Sequence, residues 1–274
     1  MAPGGEEIVM AYLYETHLHT SESSACGHSS GREYIRKYID SGYSGIIITD
    51  HFFRGNCAID RNLPWNKWVD EFCQGYENAR EEGERQGLDV FFGWEETFEK
   101  NDDYLVYGLD KAWLYEHPEA AQWTRKEQFL DVRRYGGCVV QAHPFRQHHY
   151  ITQVNLSTGC VDAVEAANAG NREQSYDALA WVYAKRLKLP ITAGSDIHRV
   201  EDVGPETAYG VYLDKKIKTI KDYVELIRNN AIGELKIPSG RCDIRGNESI
   251  TLPVDIRGDQ DESTGKDIWE FLRA

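Results

Sequence analysis

Four short runs of this chain concentrate imidazoles and carboxylates: His17-Leu18-His19, Asp50-His51, His143 and Asp196-Ile197-His198. Neutral imidazole nitrogen together with carboxylate oxygen is a donor set suited to Zn, Mn or Fe. Along an extended strand, residues two apart share a face, so His17 and His19 project together, as do Asp196 and His198. Each run alone is a weak signal. Their common placement is stronger, because each follows a short apolar segment: Ile8–His19 carries the first pair, Gly45–Thr49 precedes Asp50, Cys138–Ala142 precedes His143, and Ile191–Gly194 precedes Asp196. In barrels and open α/β sheets, the carboxyl ends of parallel strands are where sites are assembled. One shared metal centre is the expectation. No segment reads G-x-S-x-G or G-x-x-x-x-G-K-[ST], so serine-esterase and P-loop chemistry lack support.

The elements that must position these groups follow an alternating pattern. Gly45–Thr49 is too short for a helix and rich in Ile, as a buried parallel strand should be. Val90–Trp94, Tyr104–Gly108, Val161–Ala166 and Tyr209–Leu213 read as further strands. Helices are expected at Arg32–Asp40, Trp65–Gln86 behind Pro64, Arg125–Tyr135, Glu173–Leu187 and Thr219–Asn229. Nearly continuous apolar strands alternating with helices indicate a parallel sheet with helical crossovers. Seven or eight such units favour a barrel. The expected organisation is an α/β barrel domain over residues 8–232, with residues 233–274 as an extension packed on it.

Composition narrows the function classes. The chain has 274 residues, with 31 Lys plus Arg against 45 Asp plus Glu, a formal charge of −14. Binding to a phosphate backbone rests on clustered cations, so long nucleic acid is not an expected partner. Six scattered cysteines form no C-x-x-C pair and read as free thiols of a reducing compartment. Residues 1–10 lack the basic and apolar regions of a secretory signal, and no apolar run reaches the roughly 18 residues of a membrane span. A soluble, cytoplasmic protein is expected.

In order, His17-x-His19, Thr49-Asp50-His51, Ala142-His143-Pro144 and Gly194-Ser195-Asp196-x-His198 resemble the polymerase and histidinol phosphatase (PHP) family of metal-dependent phosphoesterases. The resemblance runs from about Tyr12 to Ile232. It implies a distorted (β/α)7, TIM-like single-domain barrel with divalent ions, typically three, in its mouth. It also implies a Glu after a Gly at a strand end that bridges two ions; Gly93-Trp94-Glu95 fits, with Glu96 pointing the other way. Cys26-Gly27-His28 matches a further family His, at a spacing about three residues longer. Where the family often carries a His before an apolar strand, this chain has Asp103, which would favour harder metals. The implied ligands are His17, His19, His28, His51, Glu95, Asp103, His143, Asp196 and His198. By analogy His17, His19, Glu95 and Asp196 hold one ion, Glu95, Asp103 and His143 a second, and His28, His51 and His198 a third. Asp50 and Asn168 would orient imidazoles.

The implied activity is hydrolysis of a small-molecule phosphate ester, a phosphomonoester first, by a hydroxide bridging two metal ions. Arg54, Arg146 and Arg199 follow the ligand runs, where guanidinium can grip phosphate bidentately; Arg146 and Arg199 are the leading candidates, with His198 a further catalytic candidate. His148 and His149 share a loop near the site, while His117 reads as structural. Two other readings stay open: an amidohydrolase-like metalloenzyme cleaving a C–N or C–O bond, and a non-catalytic metal-binding barrel.

Overall fold

The apolar runs fold as strands. In the computed structural model, which describes residues 11–99 and 101–274, the strands are β1 (Tyr12–Glu15), β2 (Gly45–Ile48), β3 (Asp89–Thr97), β4 (Asp103–Tyr107), β5 (Cys138–Gln141), β6 (Val154–Ser157), β7 (Ala163–Asn168), β8 (Ile191–Gly194), β9 (Gly210–Leu213), β10 (Leu235–Lys236) and β11 (Val254–Arg257). The α-helices are α1 (Gly31–Asp40), α2 (Trp65–Phe72), α3 (Gln74–Gln86), α4 (Lys111–Glu116), α5 (Arg125–Arg134), α6 (Gln174–Leu187), α7 (Ile220–Arg228) and α8 (Ile268–Arg273). Residues 1–10, including the expected start of the first strand and of the barrel domain and the segment read for a secretory signal, lie outside the described residues.

Nine strands form one sheet in the order β10-β9-β1-β2-β3-β4-β5-β7-β8. It curls into a nearly closed barrel, as expected. The sheet's order ends at β10 and β8, and the seam is stitched where the segments after β1 and β8 meet: His19 N–H donates to Ile197 C=O (3.0 Å) and Asp196 N–H to His17 C=O (2.8 Å). Thr16 Oγ1 adds a bond to the Ala193 carbonyl at 2.9 Å. Both paired histidine motifs therefore lie on the closure itself.

Two features depart from a uniformly parallel sheet. β4 runs antiparallel to both β3 and β5, because only the short turn after Thr97 separates it from β3, too little chain for a crossover helix. β9 is antiparallel to β1. The single helix expected over Trp65–Gln86 is two, α2 and α3, interrupted at Cys73. β6 and β11 pair in parallel as a separate two-stranded sheet, a feature absent from the expected pattern. Among the described residues no helix is long and apolar enough to cross a membrane.

The helices pack where their apolar faces dictate. In α2, Trp68, Val69 and Phe72 fall on one side and are buried. Trp68 stacks on Phe72 and meets Phe52 edge to face, at centroid distances of 4.8 and 5.2 Å. These contacts seat the segment after His51. On the other flank Tyr223 and Ile227 of α7 pack with Tyr107 and Val140. Thr124 and Glu127 form a reciprocal cap at the start of α5, each side chain bonding the other's backbone N–H.

Glu15, at the end of β1, is fully buried between the two edges of the seam. Its Oε1 accepts from the backbone N–H groups of Thr16 (2.9 Å), His17 (3.0 Å) and Ser195 (2.9 Å). Its Oε2 accepts from Tyr38 at 3.0 Å and from the Ser195 hydroxyl. Burial raises its pKa, and the Ser195 hydroxyl and the His17 and Ser195 amides oppose that rise. Removing the carboxylate strands several buried donors, each worth about 1–3 kcal/mol. Glu15→Ala is therefore expected to lose at least about 3 kcal/mol of stability, read as a lower urea midpoint; an unchanged midpoint would show that the clamp contributes nothing.

Candidate metal centre

The closure brings six imidazole and carboxylate side chains from five strand ends into one pocket. His17 Nε2 and His19 Nε2 lie 3.1 Å apart. His17 Nε2 is 3.3 Å from Glu95 Oε1 and 3.5 Å from Asp196 Oδ1. His19 Nε2 is 3.0 Å from the same Asp196 oxygen, and His143 Nε2 is 3.2 Å from Glu95 Oε1. His51 Nδ1 sits 2.8 Å from Glu95 Oε2. Donor atoms that share a first-row ion at about 2.0–2.2 Å must themselves lie roughly 3 Å apart, so these spacings fit. Four overlapping sets stand out: His17, His19 and Glu95; Glu95, Asp103 and His143; His19, His51 and His198; and His17, His143 and Glu165, in which Glu165 already binds His17 Nδ1.

The surrounding hydrogen bonds fix which nitrogen of each ring is available. His17 Nδ1 donates to Glu165 Oε1 (3.0 Å), leaving Nε2 for the pocket. Ser24 Oγ donates to Asp50 Oδ1 (2.6 Å). It therefore accepts from His19 Nδ1 (3.1 Å), and His19 too presents Nε2. His198 Nδ1 donates to the Asp196 carbonyl at 2.8 Å, which again frees Nε2. With Nδ1 of both rings engaged, two Nε2 atoms facing each other at 3.1 Å call for a proton or a cation between them. Glu95 Oε2 and His51 Nδ1 add a second such place, since both atoms are buried and neither makes an aligned hydrogen bond. The donor set and these orphaned atoms fit divalent cations.

Electrostatics point the same way. Burial raises the Glu95 pKa, but His17 and His51 outweigh it and hold the carboxylate well below its usual range. Burial likewise opposes charge on His17, yet Glu165, Asp196 and Glu95 push its pKa well above 6.5. His19 goes the opposite way, lowered by burial and by the neighbouring His51 and His198. Asp196 is depressed despite burial, chiefly by Arg146 and His17. Asp103 is raised by burial and by Glu95 beside it. His143 and Asp196 both hold the left-handed backbone conformation, at φ 30° and 56°, a cost of about 1–3 kcal/mol each that a packed site offsets. Gly194 makes room for this arrangement, since a Cβ there would lie 2.5 Å from His17 Cβ and 2.6 Å from Glu165 Oε1.

Of the nine ligand candidates, the structure gathers His17, His19, His51, Glu95, Asp103, His143, Asp196 and His198. His28 stands apart. Its ring is exposed and meets Arg199 Nη2 at 3.2 Å, although its backbone N–H bonds the His198 carbonyl at 2.8 Å. Cys26 lines the cavity instead, beside His51 and His198. Burial raises its thiol pKa, but hydrogen bonds with those two rings outweigh it and bring it down to about 6.

Asp50 acts on His19 through Ser24, and it also accepts from Thr20 N and Oγ1 at 2.6 and 2.7 Å. Asn168 reaches His17 only weakly, at 3.5 Å, and instead bonds Glu165 at 2.8 Å. Glu165 and Glu15 were not singled out in the sequence. The available signal was a carboxylate inside an otherwise apolar strand, Ala163-Val-Glu-Ala-Ala and Tyr12-Leu-Tyr-Glu.

The arginines divide. Arg146 braces the site, donating to Asp196 Oδ2 (2.6 Å), Asn168 Oδ1 (2.7 Å) and Asn171 Oδ1 (2.8 Å), and it also lines the cavity. Arg54 lines the same cavity, bonded to Glu96 (3.2 Å) and the Trp123 carbonyl (2.6 Å), with its guanidinium 4.5 Å above Phe98. Burial raises Glu96 to about 7 against the pull of Arg54. Arg199 does not line this cavity. The cavity measures about 460 Å3 and is walled by Cys26, Arg54, Asn56, Thr97, Asn101 and Tyr150 around the ligand cluster. His148 and His149 flank an adjoining hollow, and His117 lies away from the site against Glu119 and Trp113.

Residues 176–232 match the family model described as PHP-associated. The fold agrees with a two-domain protein from Bacteroides vulgatus ATCC 8482 said to contain a predicted PHP-like metal-dependent phosphoesterase, at a TM-score of 0.58 and 17% identity over 81% of this chain and 64% of that one. Over residues 176–232 the chain is similar to the PHP-associated family, and its fold is that of the PHP-like neighbour. PsfC from Pseudomonas syringae PB-5123 shares the fold at a TM-score of 0.51 and 13% identity, over 85% of this chain and 93% of that one. Endonuclease Q, in complex with a 27-mer duplex bearing an abasic lesion, shares it at 0.53 and 10% identity, over 83% of this chain and 58% of that one. These likenesses are ones of fold, and the chain spans less than two thirds of the length of the first and third. No curated protein matches its sequence.

Because Glu165, Asp196 and Glu95 favour a proton on His17, cation binding at its Nε2 must displace that proton. The raised His17 pKa means that this proton is present at neutral pH and is lost as pH rises through that value. Metal affinity is therefore expected to climb with pH and then level off. Calorimetric titration with Mn in two buffers of different ionisation enthalpy should report net proton release near neutral pH; equal heats in both buffers would contradict the protonation state described for His17.

Proposed function

We propose that this protein is a metal-dependent hydrolase of small-molecule phosphate esters, with phosphomonoesters as its substrates. The observation that carries this reading is the convergence of His17, His19, Glu95, Asp103, His143 and Asp196 at the floor of a cavity whose wall includes Arg54 and Arg146. A cavity of about 460 Å3 lies within the range of roughly 300–1,000 Å3 typical for small ligands. The PHP-associated match over residues 176–232 and the phosphoesterase named for the Bacteroides protein add support.

His17, His19, Glu95 and Asp196 would hold one divalent ion, Glu95, Asp103 and His143 a second, and His51 and His198 a third. When bound, such ions lower the pKa of a water toward 7 and offset charge building on phosphoryl oxygens. The protein's own groups do the remaining work. Glu165, Ser24 and the Asp196 carbonyl hold the His17, His19 and His198 rings with Nε2 turned inward. Arg146 holds the Asp196 carboxylate in place. Arg54, pinned by Glu96 and Phe98, presents its remaining N–H donors to the cavity, where they can bind a phosphoryl oxygen. This reading gives Arg54 the role first expected of Arg199.

The centre lies in a chain of net charge −14, yet bound cations would dominate the local potential, so an anionic substrate is not repelled there. The acidic surface disfavours tracking along a long phosphate backbone, and the reading therefore stays with small esters, in a soluble, cytoplasmic setting.

A screen for inorganic phosphate release over metabolite phosphates, with Mn present, is expected to find a phosphomonoester substrate. His17→Ala should lower turnover at least about 1,000-fold, the scale of losing the group that activates water, with the circular dichroism spectrum unchanged. Full activity in that variant, or a marked preference for phosphodiesters or amides over every monoester tested, would refute the proposal. Arg54→Ala is expected to lower kcat/KM by roughly 10–100-fold, the worth of a charge-assisted bond, while Arg199→Ala leaves it within about twofold; the reverse order would reject the assignment of Arg54.

A further inference from the structure

The third set of donors, His19, His51 and His198, shares His19 with the first set. His51 and His198 flank one end of the cavity, their rings 6.2 Å apart with His19 stacked between them at 4.3 and 4.4 Å. The histidine expected to join them, His28, is instead exposed and engaged by Arg199. The loop is held so that it cannot simply turn inward. Gly27 packs so closely that a Cβ would lie 2.2 Å from the Thr20 carbonyl oxygen. Ala25 N–H is bonded to Asn56 C=O at 2.8 Å and Gly27 N–H to Ser24 C=O at 2.9 Å. With both flanks fixed, the side chain that this loop turns into the cavity is Cys26, which lines it together with His51 and His198.

A second observation at the same place calls for a cation. The Glu95 side chain is 1% exposed, and its Oε2 faces this end of the cavity 2.8 Å from His51 Nδ1, with no aligned hydrogen bond to either atom. A carboxylate oxygen and an imidazole nitrogen orphaned side by side in a buried wall are otherwise costly.

We propose that Cys26 supplies a thiolate ligand to a divalent ion held with His51 and His198 at the outer end of the cluster, occupying the place expected of His28. The inference rests on the metal-centre reading above and deepens it. On binding, the Sγ–H bond breaks, its proton passes to solvent, and the sulfur lone pair forms the bond to the ion, with no change of oxidation state. Sulfur is a softer donor than the carboxylates at the other two positions, so this ion would be Zn or Fe in preference to Mn, while Asp103 favours a harder ion at its own position.

Cobalt(II) tests this on the full chain, because a thiolate bonded to cobalt gives an intense near-ultraviolet charge-transfer absorption that imidazole and carboxylate ligands do not. The cobalt-loaded protein is expected to show this band, Cys26→Ser to lose it, and His28→Ala and Cys57→Ser to keep it. Alkylation mapped by mass spectrometry serves as a second measurement that needs no variant: bound zinc should slow iodoacetamide labelling of Cys26 about tenfold or more, since a metal-held thiolate is a blocked nucleophile, and a chelator should restore it. Cobalt bound without the band, a band that survives Cys26→Ser, or labelling indifferent to zinc would overturn the assignment of Cys26 while leaving the metal centre intact. Elemental analysis that finds no divalent metal bound under any loading condition would instead remove the centre itself, and this inference with it.

Discussion

The buried carboxylate of Glu15 is the interaction on which the site depends. The sheet curls until the segments that follow β1 and β8 meet, and those segments carry the two motifs with alternate-residue spacing. One carboxylate accepts amide protons from both sides of the seam, Thr16 and His17 on one strand and Ser195 on the other. Carboxylates that gather several N–H donors are held firmly even without water. The residues on either side of that clamp are the ones whose side chains enter the pocket. Closure of the barrel and construction of the cluster are thus a single event.

Around the seam the charges are arranged in opposition. Glu95 and Asp196 are held ionised, His17 is driven to keep a proton, and His19 is driven to lose one. Neighbouring groups pushed apart in this way mark a place built to receive charge rather than one balanced without it. The supporting shell has the opposite character. Ser24, Asp50, Glu165 and Asn168 find their partners within it, which gives the rings a fixed direction whatever lies between them.

Much of this was legible in the sequence because strand periodicity and apolar runs are local properties. The alternation at His17-x-His19 and Asp196-x-His198, and the placement of Asp50-His51 and His143 behind buried strands, located most of the pocket. Asp103 could be placed by its position before an apolar strand. What escaped depended on contacts between distant segments. The turn of Cys26 inward and His28 outward follows from Gly27 pressing on Thr20. The positions of Arg54 and Arg199 follow from what each loop meets, Glu96 and Phe98 in one case and His28 in the other. Glu165 was hidden because a buried strand was read for its apolar residues, and a charged side chain within such a run went unexamined for the partner it must have. The reversed strands β4 and β9 escaped because an apolar run does not state its direction.

The reversal of β4 alters how the pocket wall is made. Candidate ligands such as Glu95 and His143 stand at or beyond the carboxyl ends of their strands, but Asp103 opens its strand and reaches the mouth by way of the β3–β4 hairpin. The tip of that hairpin, around Asn101, is bordered by cavity on its inner side and carries no strand pairing of its own. Residues could be added or removed there without shifting the register of Thr97 against Asp103, so the shape of the opening is free to diverge while the metal-facing floor beneath it stays constant.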